Sequence, residues 1–174
     1  PSELHEMITA LIKEGYESIY IDGMSGLTEL LSRTAAFKAK FKTDKWEAWG
    51  WLAEEVEDII LSTKKYAEND GINILYTVAI KLDEDKAGNP IGYSQEIKGN
   101  KTTKNIKSIF PVTVTLIPDV NEDGEAQDAP LMLTKNHGLH TARIDSILAE
   151  RNPGIIEADL SQLMKLIRMG GVEQ

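Results

Sequence analysis

The most constraining feature of this chain is a pattern that occurs twice in its first eighty residues: an amphipathic helical stretch, a glycine, then a short β-prone run. In the first copy, Leu4, Met7, Ile8, Leu11 and Ile12 fall at i, i+3, i+4, i+7 and i+8, with Ser2 placed to cap the helix and Gly15 to end it. The run Ser18-Ile19-Tyr20-Ile21 follows and stops at Asp22-Gly23, a turn pair, so a buried strand ending in an acid is expected. In the second copy, Asp44 and Glu47 have capping-box spacing, and Leu52, Val56, Ile59 and Ile60 carry an apolar stripe towards Asn69 and the terminator Gly71. Residues 72–80 then form a nearly continuous β-prone run, the pattern of a strand buried on both faces. Between the copies, Leu27, Leu30, Leu31, Thr34 and Ala35 predict one more helix over residues 27 to about 41, followed by a basic stretch to Lys45. Helix then strand, twice over, predicts an α/β fold.

The remainder is less regular. Residues 82–108 are polar and rich in glycine and lysine, too long for a plain connection, and are expected to be a mobile basic loop. Strands are predicted at residues 112–117 and 131–133, with turn-forming residues 119–130 between them. Ile156, Leu160, Leu163, Met164 and Ile167 suggest a last helix closed by Gly170 and Gly171. No internal repeat is present.

Composition narrows the function classes. A chain of 174 residues that is 41% hydrophobic and 27% charged suits one globular domain. It has no cysteine, which removes disulfides and thiolate chemistry, and three histidines are too few for a His-rich site. Short apolar runs and the lack of an opening signal segment point to a cytoplasmic protein. The first residue is Pro1, so the chain is expected to be processed or cut from something longer. A net charge of −9 repels nucleic acid unless basic residues are concentrated. Between Glu96 and Asp119 there is no acid, while Lys98, Lys101, Lys104 and Lys107 recur every third residue.

Asp22 carries the first candidate site. An acid at the C-terminal end of a buried parallel strand sits where open α/β sheets bind ligands, and in P-loop nucleotide hydrolases such an aspartate helps hold magnesium. The same Asp-Gly pair also reads as an ordinary turn. Residues 92–103 contain Gly92, Gly99, Lys101, Thr102 and Thr103 but do not fit a phosphate loop. Six residues separate the glycines instead of four, and Asn100 intervenes before the lysine. The lysine stretch reads either as a contact for nucleic-acid phosphates or as a solvated loop, and only Tyr93 and Phe110 flank it as aromatic partners. Asp119, Asn121, Asp123 and Gly124 open like a calcium loop, but the twelfth position is Pro130, which favours a hairpin turn. His137 and His140 have no neighbouring carboxylate and are assigned no metal. Trp46 and Trp49 are expected to pack against the sheet.

The order of these elements resembles the phage RecA-like recombinases, described also as phage AAA-type nucleotide-binding proteins of single-strand annealing. Residues 19–27 look like that family's aspartate strand and following helix, and Ile74-Leu75-Tyr76-Thr77 is similar to its strand ending in a polar sensor. Ile97-Lys98-Gly99-Asn100-Lys101 resembles its glycine-lysine segment before the DNA-facing loop, and Leu133-Thr134-Lys135 with Arg143 looks like its terminal strand and trailing basic residues. The resemblance implies one RecA-like domain over residues 1–174, a mostly parallel sheet flanked by helices and incomplete on the N-terminal, P-loop side. It implies ATP and Mg2+ in an intact form, with Asp22 on the metal and Thr77 sensing the γ-phosphate. Single-stranded DNA is the implied partner of Lys98, Gly99, Lys101, Lys104 and Lys107, and Lys135 or Arg143 would reach the nucleotide of a neighbouring copy in a homo-oligomer. Gly23 stands where that family commonly has serine. The P-loop segment is absent, so a further N-terminal segment or a partner chain is expected to complete the site, and the isolated chain is expected to be inactive. The alternatives are a non-catalytic nucleic-acid-binding module and a phage interaction or structural protein with neither partner.

Overall fold

A computed structural model describes residues 2–99, 102–103, 106, 109–121, 123–145, 147 and 150–168. Two compact units emerge, residues 1–81 with 94–109 and residues 82–93 with 110–174.

The first unit opens with α1 (Ser2–Lys13), β1 (Ser18–Ile21), α2 (Met24–Arg33), α3 (Ala35–Thr43), α4 (Lys45–Asp70) and β2 (Asn73–Tyr76). Strands β1 and β2 pair in parallel with Ser18 opposite Asn73 and Ile21 opposite Tyr76. Three helices intervene between them, enough chain for the crossover that parallel pairing requires. Most of the expected α1 stripe is inward: Ile8 is buried with Ile19 and Ile72, and Leu4, Leu11, Ile12, Tyr66 and Ile74 pack around them, but Met7, also expected on that face, is exposed. Helix α4 is the spine of the unit, burying Leu52, Val56, Ile59 and Ile60 among others. Each such side chain removed from water contributes roughly 1.5–3 kcal/mol. Asp44 caps α4 by accepting from the Trp46 and Glu47 amides at 2.7 and 3.3 Å, and Gly71 ends it in the left-handed region.

Several expectations are corrected here. The helix expected over residues 27–41 is two helices, because Thr34 leaves the helical region (ψ 155°) and serves both as the C-cap of α2 and the N-cap of α3. The strand expected over residues 72–80, buried on both faces, is instead half-buried and ends at Tyr76, since Thr77 turns into the site described below, and Ile80 opens the next strand. Trp46 is 84% exposed rather than packed. Trp49 and Trp51 lie against Phe37 of α3 instead of a sheet. Within residues 82–108, where a loop was expected, β3 (Ile80–Glu84) and β4 (Pro90–Gln95) form a hairpin. Its turn is organised by Asp85, whose carboxylate accepts from the Ala87 and Asn89 amides at 2.7 and 2.9 Å. Those bonds and the Asn89 side chain hold the Asp85 carboxyl below its ordinary range, the side-chain bond first.

In the second unit, β5 (Val112–Thr113) pairs antiparallel with β8 (Arg143–Ile144), and β7 (Leu131–Leu133) lies antiparallel between β6 (Thr115–Ile117) and β9 (Ile155–Glu157). Helix α5 (Leu160–Arg168) closes over a core of Met132, Ile144, Ile147, Leu163 and Leu166. Ile156 therefore belongs to a strand and not to the last helix, and residues 112–117 divide between two sheets. The RecA-like, mostly parallel sheet is overturned by these findings: the described sheets have two or three strands, and β1 with β2 is the parallel pair among them. The short turn after β3, residues 85–89, leaves no chain for a crossover and reverses it directly. Among the described residues no helix is long and apolar enough to cross a membrane.

Candidate functional site

Parallel pairing of β1 with β2 carries the two strand ends to the same side, so Asp22 and Thr77, far apart in sequence, become neighbours. The Thr77 hydroxyl donates to Asp22 Oδ1 and accepts from the Gly23 amide at 2.9 Å. The Thr77 carbonyl accepts from the Met24 amide at 2.9 Å, and its own amide donates to the Ile21 carbonyl at 3.2 Å. Ser25 Oγ accepts from the Ala79 amide at 3.1 Å. Gly23 has φ 94°, a conformation that a side chain disfavours, and this sharp turn starts α2 directly beside the strand end. The two residues assigned to metal and phosphate thus meet at one corner, tied to the start of a helix.

The corner suits half of the chemistry that ATP and Mg2+ require. Asp22 is exposed, and Mg2+ takes oxygen ligands, commonly one or two carboxylates with substrate phosphates completing the shell. The phosphate half is not met at this corner. The Gly23 and Met24 amides at the start of α2, which could otherwise face an anion, are spent on Thr77. The proton of the Thr77 hydroxyl is likewise committed to Asp22, so Thr77 can donate to a phosphate only by releasing the carboxylate.

Of the basic residues singled out in the sequence, Lys98, Lys135 and Arg143 are described, and each is engaged within its own unit. The Lys98 ammonium pairs with Glu29 and approaches Ser32 Oγ at 3.4 Å, while its amide donates to Thr28 Oγ1 at 3.4 Å. Lys98 and Arg33 together hold the Glu29 carboxyl below its ordinary range, the Lys98 hydrogen bond being the largest cause. A methyl group at Gly99 would lie 3.4 Å from Trp49 Cε3 and 3.0 Å from Thr102 Oγ1, so this glycine lets the backbone lie against the aromatic cluster of α3 and α4. Lys101, Lys104 and Lys107 lie outside the described residues. Lys135 and Arg143 belong to the second unit. Arg143 Nη2 donates to the Phe110 carbonyl at 2.7 Å, and its Nε lies 3.4 Å from Asp145. Lys135 Nζ donates to the Asn152 carbonyl at 3.2 Å, with its stem across Gly154, where an added methyl would meet Cε at 2.5 Å.

Three features of these sites escaped sequence reasoning. Glu29 as the partner of Lys98 and Ser25 as a support of the Asp22 corner depend on contacts between residues more than fifty positions apart. The third is a buried amide network beneath Lys135: Asn152 Nδ2 donates to the Thr134 carbonyl at 2.8 Å, and Asn152 Oδ1 accepts from the Gly154 amide at 3.0 Å. Its one sequence signal was the Asn-Pro-Gly string at 152–154, which reads only as a turn. Comparison with known protein families, with curated proteins and with solved structures returned no match.

Proposed function

We propose that this chain is the acidic part of a nucleotide site in a phage recombination protein that binds ATP and single-stranded DNA. The observation that carries the reading is the meeting of Asp22 and Thr77 at adjacent parallel strand ends. In this reading Asp22 supplies the carboxylate for Mg2+, and Thr77 holds that carboxylate until a terminal phosphate competes for its proton. The donors that wrap the phosphates come from outside these residues, from a preceding segment or a partner chain. Single-stranded DNA lies along the acid-free stretch containing Lys101, Lys104 and Lys107, and Lys135 or Arg143 faces the nucleotide of a neighbouring copy in a homo-oligomer. A second reading, a non-catalytic nucleic-acid-binding module, draws on the amides of Gly23 and Met24 being already spent on Thr77.

The test joins the chain to the residues encoded immediately upstream of Pro1 and measures Mg2+-dependent ATP hydrolysis with and without single-stranded DNA. Hydrolysis that falls about a hundredfold or more in Asp22→Asn supports the reading, since loss of a metal-holding charge removes several kcal/mol of transition-state stabilisation. No hydrolysis in the extended protein, or hydrolysis indifferent to Asp22, rejects it in favour of the non-catalytic module.

A further inference from the structure

A second acid-free stretch runs from Glu29 to Asp44 and contains Arg33, Lys38, Lys40 and Lys42, with Lys45 just beyond. Folding brings its C-terminal half and the first turn of α4 into one corner. Phe37 and Phe41 face inward, stacked at 5.6 Å and packed on Trp49 at 5.1 and 6.2 Å. Lys38 and Lys42, four residues apart on α3, share its exposed side. Lys45 folds back over the Phe41 ring, 5.6 Å from its centre. The nearby acids are committed elsewhere: Asp44 caps α4, and Glu47 accepts from Lys40 at 2.9 Å. Among the described residues, no acid pairs with Lys38, Lys42 or Lys45. Beside these charges, Trp46 presents its indole to solvent, 84% exposed. Lys98 and Gly99, the start of the other acid-free stretch, dock against α2 and Trp49 in the same unit.

We infer that the α3–α4 corner is a single-stranded nucleic-acid contact, with Trp46 as the platform on which a base stacks and Lys38, Lys42 and Lys45 as phosphate contacts. Uncompensated lysines in a chain of net charge −9 select a polyanion. The bare indole selects a polyanion that carries flat rings. An anionic lipid surface fits less well, because a helix lying in a membrane interface needs a whole apolar face to bury. Here Phe37 is buried and Phe41 is packed in the cluster, which leaves a single exposed ring. Duplex bases are already stacked on one another and offer Trp46 no free face.

The corner is separate from Asp22, and its test needs no nucleotide. The 174-residue chain is titrated with an oligo-dT strand while tryptophan emission is recorded. The expected result is quenching that is lost in Trp46→Ala, with affinity weaker by roughly fivefold to a hundredfold, the range for one stacked base. The triple change Lys38→Ala, Lys42→Ala, Lys45→Ala is expected to weaken binding and reduce the slope of log affinity against log salt by about two. Trp46→Phe restores part of the affinity, and circular dichroism confirms that these surface variants remain folded. Unchanged affinity in both the Trp46→Ala and triple variants overturns the inference. So does an emission shift on phosphatidylserine vesicles without one on oligo-dT. Affinity that depends on Lys101, Lys104 and Lys107 but not on this corner sinks the inference and leaves the proposed function standing. Dependence on this corner alone supports the inference and removes the DNA half of that proposal.

Discussion

Lys98 shows how folding gives a side chain a partner that its sequence neighbours do not suggest. Its ammonium is held by Glu29, and the same carboxylate accepts from Arg33 at 2.8 Å. Two cations on one carboxylate favour its ionised form, which is why its pKa falls. A carboxyl with a depressed folded-state pKa contributes stability above its unfolded pKa and loses it as pH falls through the folded value. The attachment of Lys98 to α2 should therefore persist through the ordinary carboxylate range and loosen only below it. A carboxyl-detected NMR titration checks this: Glu29 should titrate below the free glutamate value, and Lys98→Ala should bring its midpoint back up. A midpoint unmoved by Lys98→Ala would show that Arg33 alone sets it. Because the pair is exposed, the change belongs to the local attachment and not to global stability.

Thr34 is the corresponding case for whole elements. Its hydroxyl donates to the Leu31 carbonyl at 2.8 Å and accepts from the Phe37 amide at 3.2 Å, so one residue satisfies orphan groups of two helices. Thr34→Ala should cost about 1 kcal/mol, the usual loss of an N-cap. It should also reduce the near-ultraviolet dichroism of the Phe37–Trp49 cluster, since the break at Thr34 aims α3 at α4. Thr34→Ser should retain both properties in urea denaturation and dichroism, and a Thr34→Ala protein indistinguishable from wild type would refute this role. The break was hard to read in sequence because Thr34 falls on the apolar stripe of α2, and neither glycine nor proline marks it. By contrast α1 and α4 were legible, each having a strong period and a capping or terminating residue; β1 was legible in position, stopped by Asp22-Gly23, but not in burial, since Ser18 and Tyr20 are exposed. Ile156 was misplaced for another reason: a three-residue strand is too short for its period to differ from one turn of helix.

For the whole molecule, periodicity made the presence of both helices and strands legible but left the pairing of strands open. Two helix-then-strand copies gave an α/β expectation, but the adjacency of β1 and β2 and the meeting of Asp22 with Thr77 emerge only on folding; the antiparallel sheets of the second unit likewise depend on partners such as β7 and β9, which lie far apart in sequence. The same division of the molecule bears on catalysis. Phosphoryl transfer relies on donors already aimed at the β- and γ-phosphates, and a metal-holding carboxylate cannot replace them. At the Asp22 corner, the amides best placed to supply such donors close the turn onto Thr77 instead. Freeing them would break the contacts that place Asp22, so the corner cannot serve both purposes at once. The 174-residue chain alone should therefore release inorganic phosphate from Mg2+-ATP no faster than buffer, and Asp22→Asn should leave that baseline where it is. Phosphate release above buffer that disappears in Asp22→Asn would mean that these residues contain a complete catalytic site after all, and the requirement for an added phosphate-binding segment would fall with it.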